Sequence, residues 1–156
     1  MPHTHSMIIY LERSFIMQKS LNILQLCVSL ATILGLVFAY ISFRETMELQ
    51  RETFAIQLYA SYADLCDRNV AFEDSTITNN PNKWSAPYQA YAHRVLFTSE
   101  SIINIRGGSA AWDSTVTYML TPHINYYKAS NAVTNAYSLK FQNFFALIKA
   151  RAGTKQ

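Results

Sequence analysis

Residues 21–43, LNILQLCVSLATILGLVFAYISF, contain no Asp, Glu, Lys, Arg or Pro, and Lys19 and Arg44 bracket them. A helix rises about 1.5 Å per residue, so ~20 apolar residues cover a ~30 Å hydrocarbon layer. This run predicts one transmembrane helix. A cleaved leader is the competing reading: Gln18 and Lys19 would form its basic start, and Val37-Phe38-Ala39 loosely matches the end of a cleavage site. The apolar run exceeds the roughly 7–15 residues of a signal core, which favours an anchor.

Residues 44–156 remain for a soluble part, enough for one modest core and not for two. With only four Gly and four Pro in the whole chain, a fold built on many tight turns is disfavoured and helices are expected. A net charge of +3 does not point to nucleic acid. From Ser114 onward there are five cations (Lys128, Lys140, Lys149, Arg151 and Lys155) and no acid. Such a bias could suit anionic lipid or an acidic partner, but the wide spacing favours solvated helix faces.

Cys27 lies in the span and Cys66 further along the same predicted helix. At 1.5 Å per residue they stand ~58 Å apart, whereas a disulfide needs Cα atoms within about 7 Å. No internal disulfide is expected.

Three segments follow. Residues 1–20 form a tail, with apolar Met7–Leu11 and Phe15–Met17 suited to an interfacial turn or helix. His3 and His5 alternate there, which in a chain terminus is weak support for metal binding. Residues 21–43 are the span. Residues 44–152 form a helical domain whose first helix continues the span as a stalk. Its stripe reads Phe43, Met47, Phe54, Leu58, Tyr62 and Leu65.

The stretch 73–85, EDSTITNNPNKWS, reads as a loop. Ser85 and Pro87 then open a second helix carrying Tyr88, Tyr91, Val95, Ile102 and Ile105, and Gly107-Gly108 stops it. Ser109 caps a third, with Trp112, Val116 and Met119, that Thr121-Pro122 ends or kinks. A fourth is expected over 124–150, interrupted near 129–131, with the stripe Val133, Tyr137, Phe141, Phe144, Phe145 and Ile148. The fold class is therefore all-α: one N-terminal transmembrane helix continuing into a stalk and a four- or five-helix bundle.

Within the span, Ala31, Gly35 and Ala39 recur every four residues on one face, the pattern by which membrane helices approach closely. Asn22, Gln25, Ser29 and Thr32 offer polar groups to a neighbouring helix. These features predict packing against other membrane protein subunits or a second copy.

Catalysis needs titratable groups brought together. No metal spacing, phosphate loop or nucleophile elbow appears, so no catalytic, cofactor or metal residue is assigned. Cys66, His93 and His123 are the candidates for an enzymatic alternative, should the fold unite them. Asp64 and Asp67 share a face of the stalk, and a solvated face explains them better. Tyr is abundant, and Tyr59, Tyr126 and Tyr127 are candidate partner-surface residues, because exposed Tyr suits interfaces.

LQRETF at 49–54 and AWDSTVTYMLTPH at 111–123 carry a resemblance to uncharacterised bacterial single-pass proteins, in which a span runs into a long helix and a compact helical domain. It covers the layout of residues ~20 to ~125. It implies a bacterial inner-membrane location and no activity. The expected function is non-enzymatic: a membrane-anchored accessory or scaffold subunit, with homo-oligomerisation through the stalk as a further alternative. Two cations flank each side of the span (Arg13 and Lys19, Arg44 and Arg51), so the charge rule gives no orientation.

Overall fold

The structure is a computed structural model. It describes the backbone of residues 3–133 and 135–153, and the side chains of residues 17–19, 21–133 and 135–152. His3 and His5 lie outside the described side chains. The chain is all-α, with helices α1 (His3–Arg68), α2 (Ser75–Thr78), α3 (Ala86–Arg106), α4 (Ala110–Leu120), α5 (Ile124–Ser130) and α6 (Leu139–Gly153). Single 3₁₀ turns cover Val70–Glu73, Pro81–Lys83 and Thr121–His123. Two compact units divide it, Met1–Glu48 and Leu49–Gln156.

The first unit is the earlier part of α1. It contains the apolar run, in a helix long and apolar enough to cross a membrane, with a mean hydropathy of 2.2 over its most apolar window. None of that window is buried within the protein. Ser29 Oγ and Thr32 Oγ1 each donate to the carbonyl four residues earlier, Gln25 and Val28, both at 2.9 Å. These two hydroxyl protons are thus satisfied inside their own helix, while each oxygen keeps its acceptor capacity.

The second unit is a helical bundle. The last turns of α1 contribute Ala55, Leu58, Tyr62, Leu65 and Cys66 to its core. Phe54, placed in the apolar stripe by sequence, is 56% exposed, and the small Ala55 takes the inward position. The same core holds Tyr88, Tyr91, Val95, Leu96, Ile102 and Ile103 of α3, Val116, Met119 and Leu120 of α4, and Phe141, Phe145 and Ile148 of α6.

Helix ends follow local chemistry. Ser85 Oγ accepts from Tyr88 N at the start of α3, with Pro87 in the first turn. Gly107 ends α3, and Gly108 takes φ +98°, a conformation that favours glycine. Ser109 precedes α4 without a side-chain cap; Asp113 Oδ1 instead accepts from Gly108 N at 3.1 Å.

One sequence expectation needs correction. The stretch 73–85 is not an unstructured loop: Asp74 caps the one-turn α2 through Thr76 N at 2.7 Å, and Asn80 caps the next turn through Asn82 N. The interruption expected near 129–131 in the helix over 124–150 is present and divides it into α5 and α6. Asn131, at φ 50°, terminates α5 in the left-handed region, and α6 begins at Leu139. Ser138 starts α6, with its own N–H donating to Glu100 Oε1 at 2.6 Å and its hydroxyl to Asn104 Oδ1 at 2.7 Å.

Candidate functional site

The polar centre of the second unit is built around Glu73, at the end of the 3₁₀ turn that follows α1. Asn69 directs the chain into that turn, its backbone carbonyl accepting from Phe72 N at 2.8 Å. Phe72 then packs on Tyr88 and Tyr91, with ring centroids at 5.8 and 5.5 Å. This contact delivers the next side chain, Glu73, into the bundle.

Three groups from three elements converge on one oxygen, Glu73 Oε1. Tyr91 of α3 donates its hydroxyl proton. His123 Nε2, from the turn after α4, lies at 3.2 Å, and Cys66 Sγ of α1 at 3.7 Å. Cys66 Sγ is also 3.2 Å from the Tyr91 oxygen. His123 is fully buried, and its Nδ1 stands 3.1 Å from the Tyr88 hydroxyl. One neutral tautomer satisfies every group: Tyr88 O–H donates to Nδ1 and Nε2–H donates to the carboxylate.

Burial alone would raise the Glu73 carboxyl. The hydrogen bonds from His123, Tyr91 and Cys66 outweigh it, and the carboxyl is held below its usual 4.5. The carboxylate in turn pushes its neighbours up. Burial first, then hydrogen bonding and the Glu73 charge, raises the Tyr91 hydroxyl far above its ordinary value. Burial likewise raises the Cys66 thiol, and hydrogen bonds from Tyr62 and Tyr91 only partly oppose it. A raised thiol stays protonated near neutrality and is a poor nucleophile.

The candidate residues are thus partly united. Cys66 and His123 meet on the same carboxylate oxygen, yet both His123 nitrogens are taken by Tyr88 and Glu73 rather than by the thiol. His93 sits apart, its Nε2 3.2 Å from the Tyr126 hydroxyl. Asp64 pairs with Arg68 at 2.9 Å in solvent and does not join Asp67 in a site. Among the described residues, no group of three or more His, Cys, Asp or Glu is arranged to hold a metal ion.

The Tyr candidates divide. Tyr59 is on the surface, but Tyr126 and Tyr127 are buried at 4% and 1% exposure and cannot form a partner surface in this fold. The short α5 explains this. Tyr126 turns edge-on to Trp84 and Tyr88, while Tyr127 reaches Ala92 O of α3 with its hydroxyl at 2.7 Å. Each ring is buried while its hydroxyl keeps a partner. Ala31, Gly35 and Ala39 are all exposed, and a Cβ added at Gly35 meets nothing within 4 Å.

The sequence places Glu73 in the stretch 73–85 that reads as a loop, and nothing there singles it out as the hub. Its signal is faint: an acid just after a helix, with Tyr62 and Cys66 one turn apart on that helix and Tyr88 and Tyr91 one turn apart on the next. No family model, curated protein or solved structure matches the chain. The class defined by the fold is a small helical-bundle domain in a chain that also carries one membrane-length apolar helix.

Proposed function

We propose that this protein is a non-enzymatic, single-pass membrane-anchored subunit, an accessory or scaffold protein that packs its span against other membrane proteins or itself. The observation that carries this reading is the saturation of the Glu73 cluster. Its carboxylate oxygen, both imidazole nitrogens and the thiol are all engaged with one another, and the thiol is pushed towards its inert form. Groups so committed to internal partners hold elements together; a reaction centre leaves a nucleophile or base open to substrate.

The exposed apolar helix supports lipid as its solvent. A soluble core helix of that composition would be covered by the rest of the chain, and here none of the apolar window is covered. The resemblance in layout to bacterial single-pass proteins supports an inner-membrane location.

The competing enzymatic reading draws on the meeting of Cys66 and His123 at one oxygen. Purification of the full chain in mild detergent separates the two. Under the scaffold reading a partner or second copy co-purifies, Gly35→Leu abolishes that association, and Cys66→Ser leaves cellular phenotype unchanged. Association indifferent to Gly35→Leu, or loss of phenotype in a folded Cys66→Ser protein, overturns it.

A further inference from the structure

Between the last turns of α1 and the middle of α3 runs an open groove of about 530 Å³, in the size range of small-molecule sites. Leu65 and Asn69 line it from the α1 side, and His93, Arg94, Phe97 and Thr98 from α3. Its charges do not cancel. Asp64 is the carboxylate lining this groove, and Arg68 consumes it through two contacts, Nε to Oδ1 at 3.1 Å and Nη2 to Oδ2 at 2.9 Å. Arg94 has no acidic partner among the described residues. Beside it, the Tyr126 hydroxyl engages His93 Nε2, which fixes the imidazole and leaves Nδ1 for a ligand. One turn along α3, Phe97 presents a ring that is 65% exposed, and Leu65 faces it across the groove. A second hollow of about 190 Å³ shares Leu65, Asn69 and Arg94 and extends towards Phe72 and Tyr91.

The geometry points to a binding site for a small organic anion, whose phosphate or carboxylate pairs with Arg94 and whose apolar body lies against Phe97 and Leu65. A guanidinium pairs with such groups through two parallel N–H donors, and it serves best where no carboxylate of the protein competes. The aromatic wall calls for an apolar body rather than a bare inorganic ion. The same anionic chemistry is available from a soluble metabolite or from a lipid headgroup.

The test uses the full chain in nanodiscs of neutral phosphatidylcholine, titrated with phenyl phosphate, benzoate and inorganic phosphate by isothermal calorimetry. Saturable one-to-one binding of phenyl phosphate or benzoate is expected, tighter than that of inorganic phosphate. Arg94→Gln should weaken it about tenfold or more. Phe97→Ser should remove the preference over inorganic phosphate, and Lys128→Gln, at a half-buried cation outside the groove, should change nothing. Repeating the titration in nanodiscs containing phosphatidylglycerol distinguishes the sources: competition assigns the site to a headgroup, and unchanged affinity to a soluble anion. Absence of saturable binding by both organic probes, or equal affinities in Arg94→Gln and Lys128→Gln, overturns the proposal.

Discussion

Glu73 holds three donors on one oxygen, and its ionised form is the one the bundle recognises. The consequence for stability has a definite sign. A carboxyl held below its usual 4.5 stabilises the fold fully above that value, and the contribution is lost as pH falls through the depressed folded value. Glu73→Gln keeps the shape and an acceptor oxygen for the three donors but removes the charge that strengthens their hydrogen bonds. It should cost about 1–3 kcal/mol at neutral pH. In urea denaturation followed by the fluorescence of Trp84 and Trp112, the variant should also lose the part of the acid dependence that Glu73 contributes.

Ser99 is the opposite case. Its Oγ is fully buried in α3 with no hydrogen-bond partner among the described residues. Ser99→Ala removes that unsatisfied group and improves helix propensity, so the same denaturation experiment should show a gain of about 0.5–1.5 kcal/mol.

At the scale of elements, the join between α3 and α4 is the tightest constraint. A Cβ on Gly107 would meet Ile103 O at 2.4 Å and Lys140 Cε at 2.9 Å. The lysine can move aside, but the backbone carbonyl cannot without distorting the end of α3. Gly107→Ala should therefore lower stability by about 1–3 kcal/mol, read as a fall in the urea midpoint. Nearby, Glu52 of α1 accepts from Trp112 Nε1 at 3.1 and 3.2 Å and pairs with Arg106 Nε at 3.0 Å. This one carboxylate ties α1, α3 and α4 together. Such a half-exposed pair contributes modestly on its own, but it fixes which face of α1 turns inward. That explains why Glu52, Ala55 and Leu58 face the bundle while Phe54 does not: the stripe counted only apolar residues and missed a polar anchor within the buried face.

At the scale of the molecule, the exposed apolar helix dominates behaviour in solution. Each large apolar side chain moved from water to lipid gains roughly 1.5–3 kcal/mol, and the proposed anchoring of this run draws on that gain. The full chain is expected to stay in the membrane pellet after alkaline carbonate extraction; release into the supernatant would show that the helix is not an anchor.

Much of this architecture is written locally. The uncharged run, the Ser85 and Pro87 start of α3 and the Gly107-Gly108 stop act through backbone groups within about one helical turn, so the chain by itself determined the apolar helix, the all-α class and most helix ends. The tertiary structure alone decided that Tyr126 and Tyr127 turn inward and that Cys66 and His123 share Glu73. The physical reason is distance along the chain. Tyr91 and His123 lie 18 and 50 residues from Glu73, and Glu100 lies 38 residues from the start of α6 that it holds. Partners so remote meet only once burial has packed the helices, and only then does an acid in an apparent loop become the centre of the core.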